Sequence, residues 1–132
     1  MAEEFEQVRA AYLEWGYHGG VDAGDVVLIA ESEGRLLGAV RCTRESATVM
    51  LRGMHVAPDA QRQGVGTRLL EAFVTRLAGQ ECYCVPYTYL LAFYGRGGFA
   101  LCSADSAPSL ADRLARYRAQ GLDVALMRRP RG

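Results

Sequence analysis

The sequence predicts an α/β fold in which a mixed sheet carries helices on both faces. Three observations lead there. The early part of the chain holds short apolar runs, two of them joined by a tight turn as a hairpin. Beyond Pro58, helical and strand periodicities alternate, the pattern of a sheet covered by helices. Half of the 132 residues are apolar, enough to bury a core without disulfides or a structural metal, and the length is that of a single domain spanning 1–132.

The elements follow in order. Glu3 to Trp15 has Phe5, Val8, Tyr12 and Trp15 near helical spacing. Gly16-Tyr17-His18-Gly19-Gly20 ends that helix as an aromatic, glycine-bearing loop. Val26 to Ala30 is a strand, Glu33-Gly34 a turn, and Arg35 to Cys42 the returning strand. Ala47 to Val56 is a third strand, stopped by Pro58. A helix from about Thr67 to Leu77 places Leu69, Leu70, Phe73, Val74 and Leu77 in one stripe. Then come a strand over Cys82 to Val85, broken at Pro86, a short helix over Tyr87 to Tyr94, and a strand over Phe99 to Cys102. A helix from Ser109 to Gln120, with Ser109 as its cap and Asp112 at the reciprocating position, precedes a last strand from Leu122 to Met127.

Composition narrows the function. Formal net charge is zero, whereas a domain built to grip nucleic acid is strongly basic. All 15 positive residues are Arg, so the chain offers no lysine of its own to modify. No stretch reaches the length of a membrane span. The start, Met1-Ala2-Glu3-Glu4-Phe5-Glu6, is acidic and without the apolar run of an export signal, which predicts a cytoplasmic protein. In that compartment Cys42, Cys82, Cys84 and Cys102 are expected as reduced, structural thiols, and Cys82-x-Cys84 lacks the spacing of a zinc site. No metal is therefore expected.

The strongest chemical signal is Met54-His55-Val56-Ala57-Pro58-Asp59-Ala60-Gln61-Arg62-Gln63-Gly64-Val65-Gly66-Thr67, which links a strand to a helix. Gly64 and Gly66 let backbone amides approach a bulky anion, and the helix that follows points its free N–H groups and positive end at the same spot. The combination suits a diphosphate. A nucleotide P-loop would need a Lys, and the chain has none; a dinucleotide fingerprint would need Gly where Leu69 stands.

Gln61-Arg62-Gln63-Gly64-Val65-Gly66 resembles the signature of the GNAT superfamily of acetyl-CoA-dependent N-acetyltransferases, Arg/Gln-x-x-Gly-x-Gly/Ala. Downstream, Phe93-Tyr94-Gly95-Arg96-Gly97-Gly98-Phe99 is similar to that family's Phe/Leu-Tyr-x-x-x-Gly-Phe segment. The resemblance covers roughly Val26 to Phe99, with a weaker extension to Met127. It implies a central, mostly antiparallel sheet splayed in a V, here in a compact version lacking an obvious first strand: a helix stands where relatives begin with a strand, which is then absent or supplied by another chain.

The resemblance also implies roles. Coenzyme A would lie along the backbone of Met54, His55 and Val56, with its pyrophosphate on the amides from Arg62 to Thr67, Gln61 among its contacts at the start of that turn, and its acetyl carbonyl at an N–H near Val56. Tyr94 matches the acid that protonates the departing thiolate. Tyr87 stands where relatives often carry an Asn that contacts pantetheine, and Cys82 where some carry a basic Glu, so the general base stays open. Met50 and Arg52 occupy the places of paired histidines in other relatives. Strand alternation puts Met50, Arg52 and Met54 on one face and His55 on the other, packed or hydrogen-bonded. Two readings of Arg52 stand: a ligand for an acceptor carboxylate, or a solvated strand residue. Tyr12, Trp15, Tyr17 and His18 either line the acceptor site, with His18 a candidate base, or plug the sheet as a surface aromatic cluster. Arg128, Arg129 and Arg131 read as tail charges or contacts to the nucleotide 3′-phosphate. The function implied is acetyl transfer from acetyl-CoA to a primary amine of a small molecule or peptide; the alternative is a CoA-binding sensor of the same fold that has lost catalysis. No nucleic-acid or membrane partner is expected, and exposed strand edges are compatible with a homodimer.

Overall fold

The computed structural model describes residues 2–17, 20–22, 24–45 and 47–132, with side chains from Phe5 onward. The chain forms two compact units, Met1–Ala78 and Gly79–Gly132.

The first unit contains α1 (Ala2–Glu14), β1 (Val26–Ser32), β2 (Arg35–Glu45), β3 (Thr48–Val56) and α2 (Val65–Leu77). Strand β2 lies between β1 and β3 and is antiparallel to both. The β1–β2 turn is the expected one: Glu33 and Gly34 have φ of 52° and 76°, the left-handed pair of a two-residue hairpin whose twist matches its strands. One face of the strands receives α2, whose Val65, Leu69, Leu70, Phe73 and Leu77 are buried. Gly38 permits the close approach, since a Cβ there would stand 3.0 Å from a Leu69 methyl and 3.2 Å from Val65. The other face packs on α1, where Val8, Tyr12, Val21 and Ala39 form a buried cluster flanked by Phe5, Trp15, Tyr17, Val27 and Leu36.

Strand β3 departs from the alternation expected of it. Arg52 pairs with Arg41 and His55 with Ala39, so Gly53 and Met54 together face the single residue Val40. This is a β-bulge, with Gly53 at φ 67°. An extra residue resets the period of two. Arg52 and His55 therefore share the face that looks toward α1, and Met54 does not continue the row begun by Met50 and Arg52. The expectation that His55 has the opposite parity to Arg52 is corrected on this ground.

The second unit contains β4 (Cys82–Cys84), α3 (Leu91–Gly95), β5 (Ala100–Leu101), α4 (Pro108–Ala119) and β6 (Met127–Arg129). Strand β6 runs antiparallel to β4 and to β5. The last strand thus begins where it was expected to end. Pro86 has no N–H to give, so no regular ladder forms there; the partner backbone is held by a Tyr87–Val124 bridge, by Ala125 N donating to the Pro86 carbonyl at 3.0 Å and by Thr88 N donating to the Asp123 carbonyl at 2.9 Å. Two further expectations are corrected. Helix α4 starts at Pro108 after Ala107, with no side-chain cap, so Ser109 lies inside it. Arg128 and Arg129 are strand residues rather than tail charges: Arg128 Nε donates to Glu81 at 2.7 Å and Arg129 Nε to the Gly97 carbonyl at 2.9 Å. All four cysteines are free, and burial pushes the Cys84 thiol well above its ordinary range, which suits a packed side chain rather than a nucleophile. Among the described residues no helix is long and apolar enough to cross a membrane.

Candidate functional site

The turn between β3 and α2 presents free backbone amides to open space. After β3, Ala57 N donates to the Leu37 carbonyl at 2.7 Å, and Pro58–Ala60 makes a single 3₁₀ turn. Arg35 and Asp59 form an ion pair across this corner. The Gln61 amide donates to the Val56 carbonyl at 3.2 Å and the Gln63 amide to the Asp59 carbonyl at 3.3 Å, so both side chains brace the turn from within. Arg62 and Gly64 have φ of 65° and 82°. Left-handed residues alternating along a turn direct successive amides to one side, the arrangement of an anion nest.

Helix α2 then begins at Val65. The amides of Val65, Gly66 and Thr67 have no carbonyl one turn earlier to bond, no side chain caps them, and no acidic residue stands in the first turn. A Cβ at Gly64 would meet nothing within 4 Å, so the space over the turn is open. Arg62 and Arg68 are exposed beside it. The end of a 13-residue helix, open amides and nearby cations together favour a doubly or triply charged phosphate group.

The α1-facing side of β3 holds a buried ionic cluster. Arg41 of β2 and Asp25 at the start of β1 have side chains 1% and 6% exposed, and Arg41 Nη1 donates to Asp25 Oδ2 at 2.8 Å. Asp25 Oδ2 also accepts from the Asp22 amide at 3.0 Å. Arg41 Nη2 donates to the Tyr17 hydroxyl at 2.9 Å, and the guanidinium carbon stands 5.9 Å from the centre of the Tyr12 ring and 6.0 Å from that of Tyr17. Burial disfavours the Arg41 charge, but the hydrogen bond to Asp25 and the aromatic hydroxyls outweigh it and the pKa ends above its ordinary value. The Tyr12 hydroxyl donates to the Gly53 carbonyl at 2.8 Å, and burial drives its pKa far up, so it stays a donor at any physiological pH. The bulge is thus held from beneath by a tyrosine and an arginine.

His55 lies on this same side, half-buried. Its ring centre is 4.6 Å from that of Tyr17 at an interplanar angle of 36°, and 6.0 Å from that of Tyr12 at 67°. Burial lowers its pKa below the ordinary histidine value, so at neutral pH the imidazole carries no charge. Arg52 beside it leans on Glu45 at 3.8 Å.

In the second unit, Tyr94 is 5% exposed, with its ring set edge-on between Phe93 and Phe99. Burial first, then Cys84 and Tyr89, push its pKa up, and the hydroxyl keeps its proton. Tyr87 is exposed and stacks on Tyr89, centroids 5.7 Å apart at 14°. Among the described residues no group of three or more His, Cys, Asp and Glu is placed to hold a metal ion.

Of the residues singled out in the sequence, Met54, His55, Val56, Gln61, Arg62, Gln63, Gly64, Val65, Gly66 and Thr67 fall on one continuous strand-turn-helix segment. Trp15 and Tyr17 lie in the aromatic cluster around Tyr12, while His18 lies outside the described residues. Sequence reasoning passed over Arg41, Asp25 and Gly53. Two signals were present: an Arg in the apolar run Leu36 to Cys42, and a Gly inside a strand pattern, which marks a bulge or a close approach.

Comparison with known proteins adds the following. The sequence profile described as an acetyltransferase (GNAT) domain matches residues 23–101. Phosphinothricin N-acetyltransferase of Alcaligenes faecalis is 35% identical over 83 residues, which take in 59% of this chain and 40% of that relative. The structure superposes on N-acetylglutamate synthase of Neisseria gonorrhoeae, solved with coenzyme A and N-acetyl-glutamate, with a TM-score of 0.69 at 20% identity, over 98% of this chain and 32% of the other. Rv2747 of Mycobacterium tuberculosis, solved with CoA and NLQ, gives a TM-score of 0.72 at 12% identity, over 97% and 94%. At such identities the likeness to the solved structures carries the fold, which this chain shares with them.

Proposed function

The chain belongs to the GNAT acetyltransferase family, matched over residues 23–101, and from that premise we propose that it transfers the acetyl group of acetyl-CoA to a primary amine of a small molecule or peptide. The observation that carries this reading is the uncapped start of α2 behind the left-handed residues Arg62 and Gly64. The turn fits the group it would hold: amides of Arg62 to Thr67 for the pyrophosphate, Arg62 and Arg68 for the remaining charge, and the backbone of Met54 to Val56 beyond the bulge for the pantetheine arm. The thioester supplies an activated acyl carbon. A backbone N–H near Val56 would bind its carbonyl oxygen and stabilise the negative charge that develops there on attack.

Tyr94 is the acid in this reading. Burial keeps the proton on the Tyr94 hydroxyl but makes its outright transfer to a thiolate, whose own conjugate acid has a pKa near ~8.5, uphill, so in this reading the hydroxyl donates a hydrogen bond to the departing sulfur and passes its proton on only as solvent resupplies it. Tyr94→Phe is expected to lower kcat by about two orders of magnitude, the usual scale of a lost general acid, with the Kd for CoA unchanged by calorimetry. A kcat within a factor of two of wild type removes Tyr94 from the mechanism.

The cradle is tested by Gly64→Val. The φ of 82° strains any L side chain, and the new side chain would enter the open space over the turn. CoA affinity is expected to fall at least ~10-fold, the equivalent of about 1.4 kcal/mol. If the wild-type protein fails to bind CoA at all, the proposed function is wrong.

A further inference from the structure

We propose that His55 is the general base of the acetyl transfer, the group that takes a proton from the acceptor ammonium. This inference rests on the function proposed above and adds to it the residue that the sequence left open.

The geometry has four parts. First, the bulge at Gly53 and Met54 turns His55 to the same side as Arg52, toward the cluster that includes Tyr17. Second, His55 is the middle residue of Met54–Val56, so a base on it is within one residue of the backbone assigned to the thioester. Third, its ring is fixed while its nitrogens are not. Tyr17 lies against one side and Tyr12 meets it at a steep angle, yet among the described residues neither ring nitrogen has a hydrogen-bond partner. Neither nitrogen is sealed in: among the described residues the buried side-chain atoms without a partner are Arg41 Nε and Thr43 Oγ1. An imidazole placed only for packing is usually anchored through a nitrogen. Fourth, the imidazole is neutral at physiological pH, the form a base must have.

The charged groups around it agree with that state. From α1 comes Tyr12 and from the following loop Tyr17, a neutral hydroxyl that accepts from Arg41. From β2 comes Arg41, whose charge is matched by Asp25, and from β3 Arg52, which leans on Glu45. Burial is what lowers the His55 pKa, and among the described residues the carboxylates Asp25 and Glu45 already face arginines.

The step balances as follows. An N–H bond of the acceptor ammonium breaks and an N–H bond forms on the imidazole, leaving the amine with a lone pair. That pair bonds the acyl carbon, the C–S bond breaks, and its electrons leave on the sulfur. The second amine proton goes to the thiolate by way of the acid and solvent. The imidazolium releases its proton to water, so the net products are an amide, a thiol and one proton.

The test uses purified full-length protein, acetyl-CoA and a panel of primary amines comprising amino acids, aminoglycosides and short peptides, with thiol release as the readout. His55→Gln and His55→Phe remove the basic nitrogen, and the phenyl ring keeps the contact with Tyr17. Both variants are expected to bind CoA within twofold of wild type and to lose at least ~30-fold in kcat/KM at neutral pH, within the range of general-base catalysis. In wild type, kcat/KM should fall on acidification through a pKa below the ordinary histidine value, and this limb should vanish in both variants. Added imidazole should restore part of the activity of His55→Ala. An active wild type whose rate and acidic limb survive in His55→Phe overturns the assignment and leaves the proposed function standing. A wild type that binds CoA and acetylates none of the panel counts against both.

Discussion

Gly53→Ala is expected to lower the melting temperature by roughly 10 °C. Two costs combine. At φ 67° an L side chain sits in the left-handed region, which costs about 1–2 kcal/mol. The added Cβ would also stand 2.6 Å from the Tyr12 hydroxyl, 3.1 Å from its Cζ and 3.0 Å from Arg41 Nε. Neither neighbour can retreat cheaply. The hydroxyl is bonded to the Gly53 carbonyl, and the guanidinium is tied to Asp25 and Tyr17. Overpacking of this kind costs about 1–3 kcal/mol, so the total is near ~3 kcal/mol, and each kcal/mol moves Tm by about 3–4 °C at this size. Tyr12→Phe in the same background removes the nearest clashing atom and should recover part of the loss, a non-additivity expected of residues in contact. If Gly53→Ala melts within about 2 °C of wild type, the bulge is not pinned by these side chains.

That experiment bears on how much of the molecule can be read from its sequence. What is local was legible. Glu33-Gly34 announces its turn by the φ values it must adopt, and the stripe from Leu69 to Leu77 announces a helix by its period. Gly64 announces a left-handed turn before α2, because its φ of 82° is one that side-chain-bearing residues rarely adopt. What depends on distant partners was not. Strand β6 is displaced because Pro86, far away in sequence, has a carbonyl but no N–H to give to the run from Val124, so no regular ladder forms there. The parity of His55 could not be counted along the strand, since the bulge exists only in the register with β2. Gly53 hinted at it, but a glycine in a strand marks either a bulge or a close approach, and here it is both. Arg41 finds Asp25 across 16 positions of sequence, and its neighbours in the chain, Val40 and Cys42, say nothing of a buried ion pair.

The pair itself gives the second large effect. Asp25→Leu is expected to destabilise the protein by about 3–5 kcal/mol, because it leaves a guanidinium 1% exposed with only the Tyr17 hydroxyl and two aromatic faces for company. Arg41 Nε already lacks a partner, so the site has no spare acceptor to take up the loss. Arg41→Met alone should cost a comparable amount by stranding the carboxylate. The double variant Asp25→Leu, Arg41→Met should be more stable than Asp25→Leu alone, with a coupling free energy of at least ~2 kcal/mol by urea denaturation, since no uncompensated charge remains. The charges would then contribute placement more than stability. Arg41 ties β2 to Tyr17 on one side of the α1–β1 loop and to Asp25 on the other, and Tyr17 is the ring against which His55 lies. The double variant should accordingly fold and bind CoA yet turn over poorly, its defect appearing in kcat. A double variant no more stable than Asp25→Leu alone would mean that the cluster's stability comes from packing around the arginine stem rather than from the match of its charges.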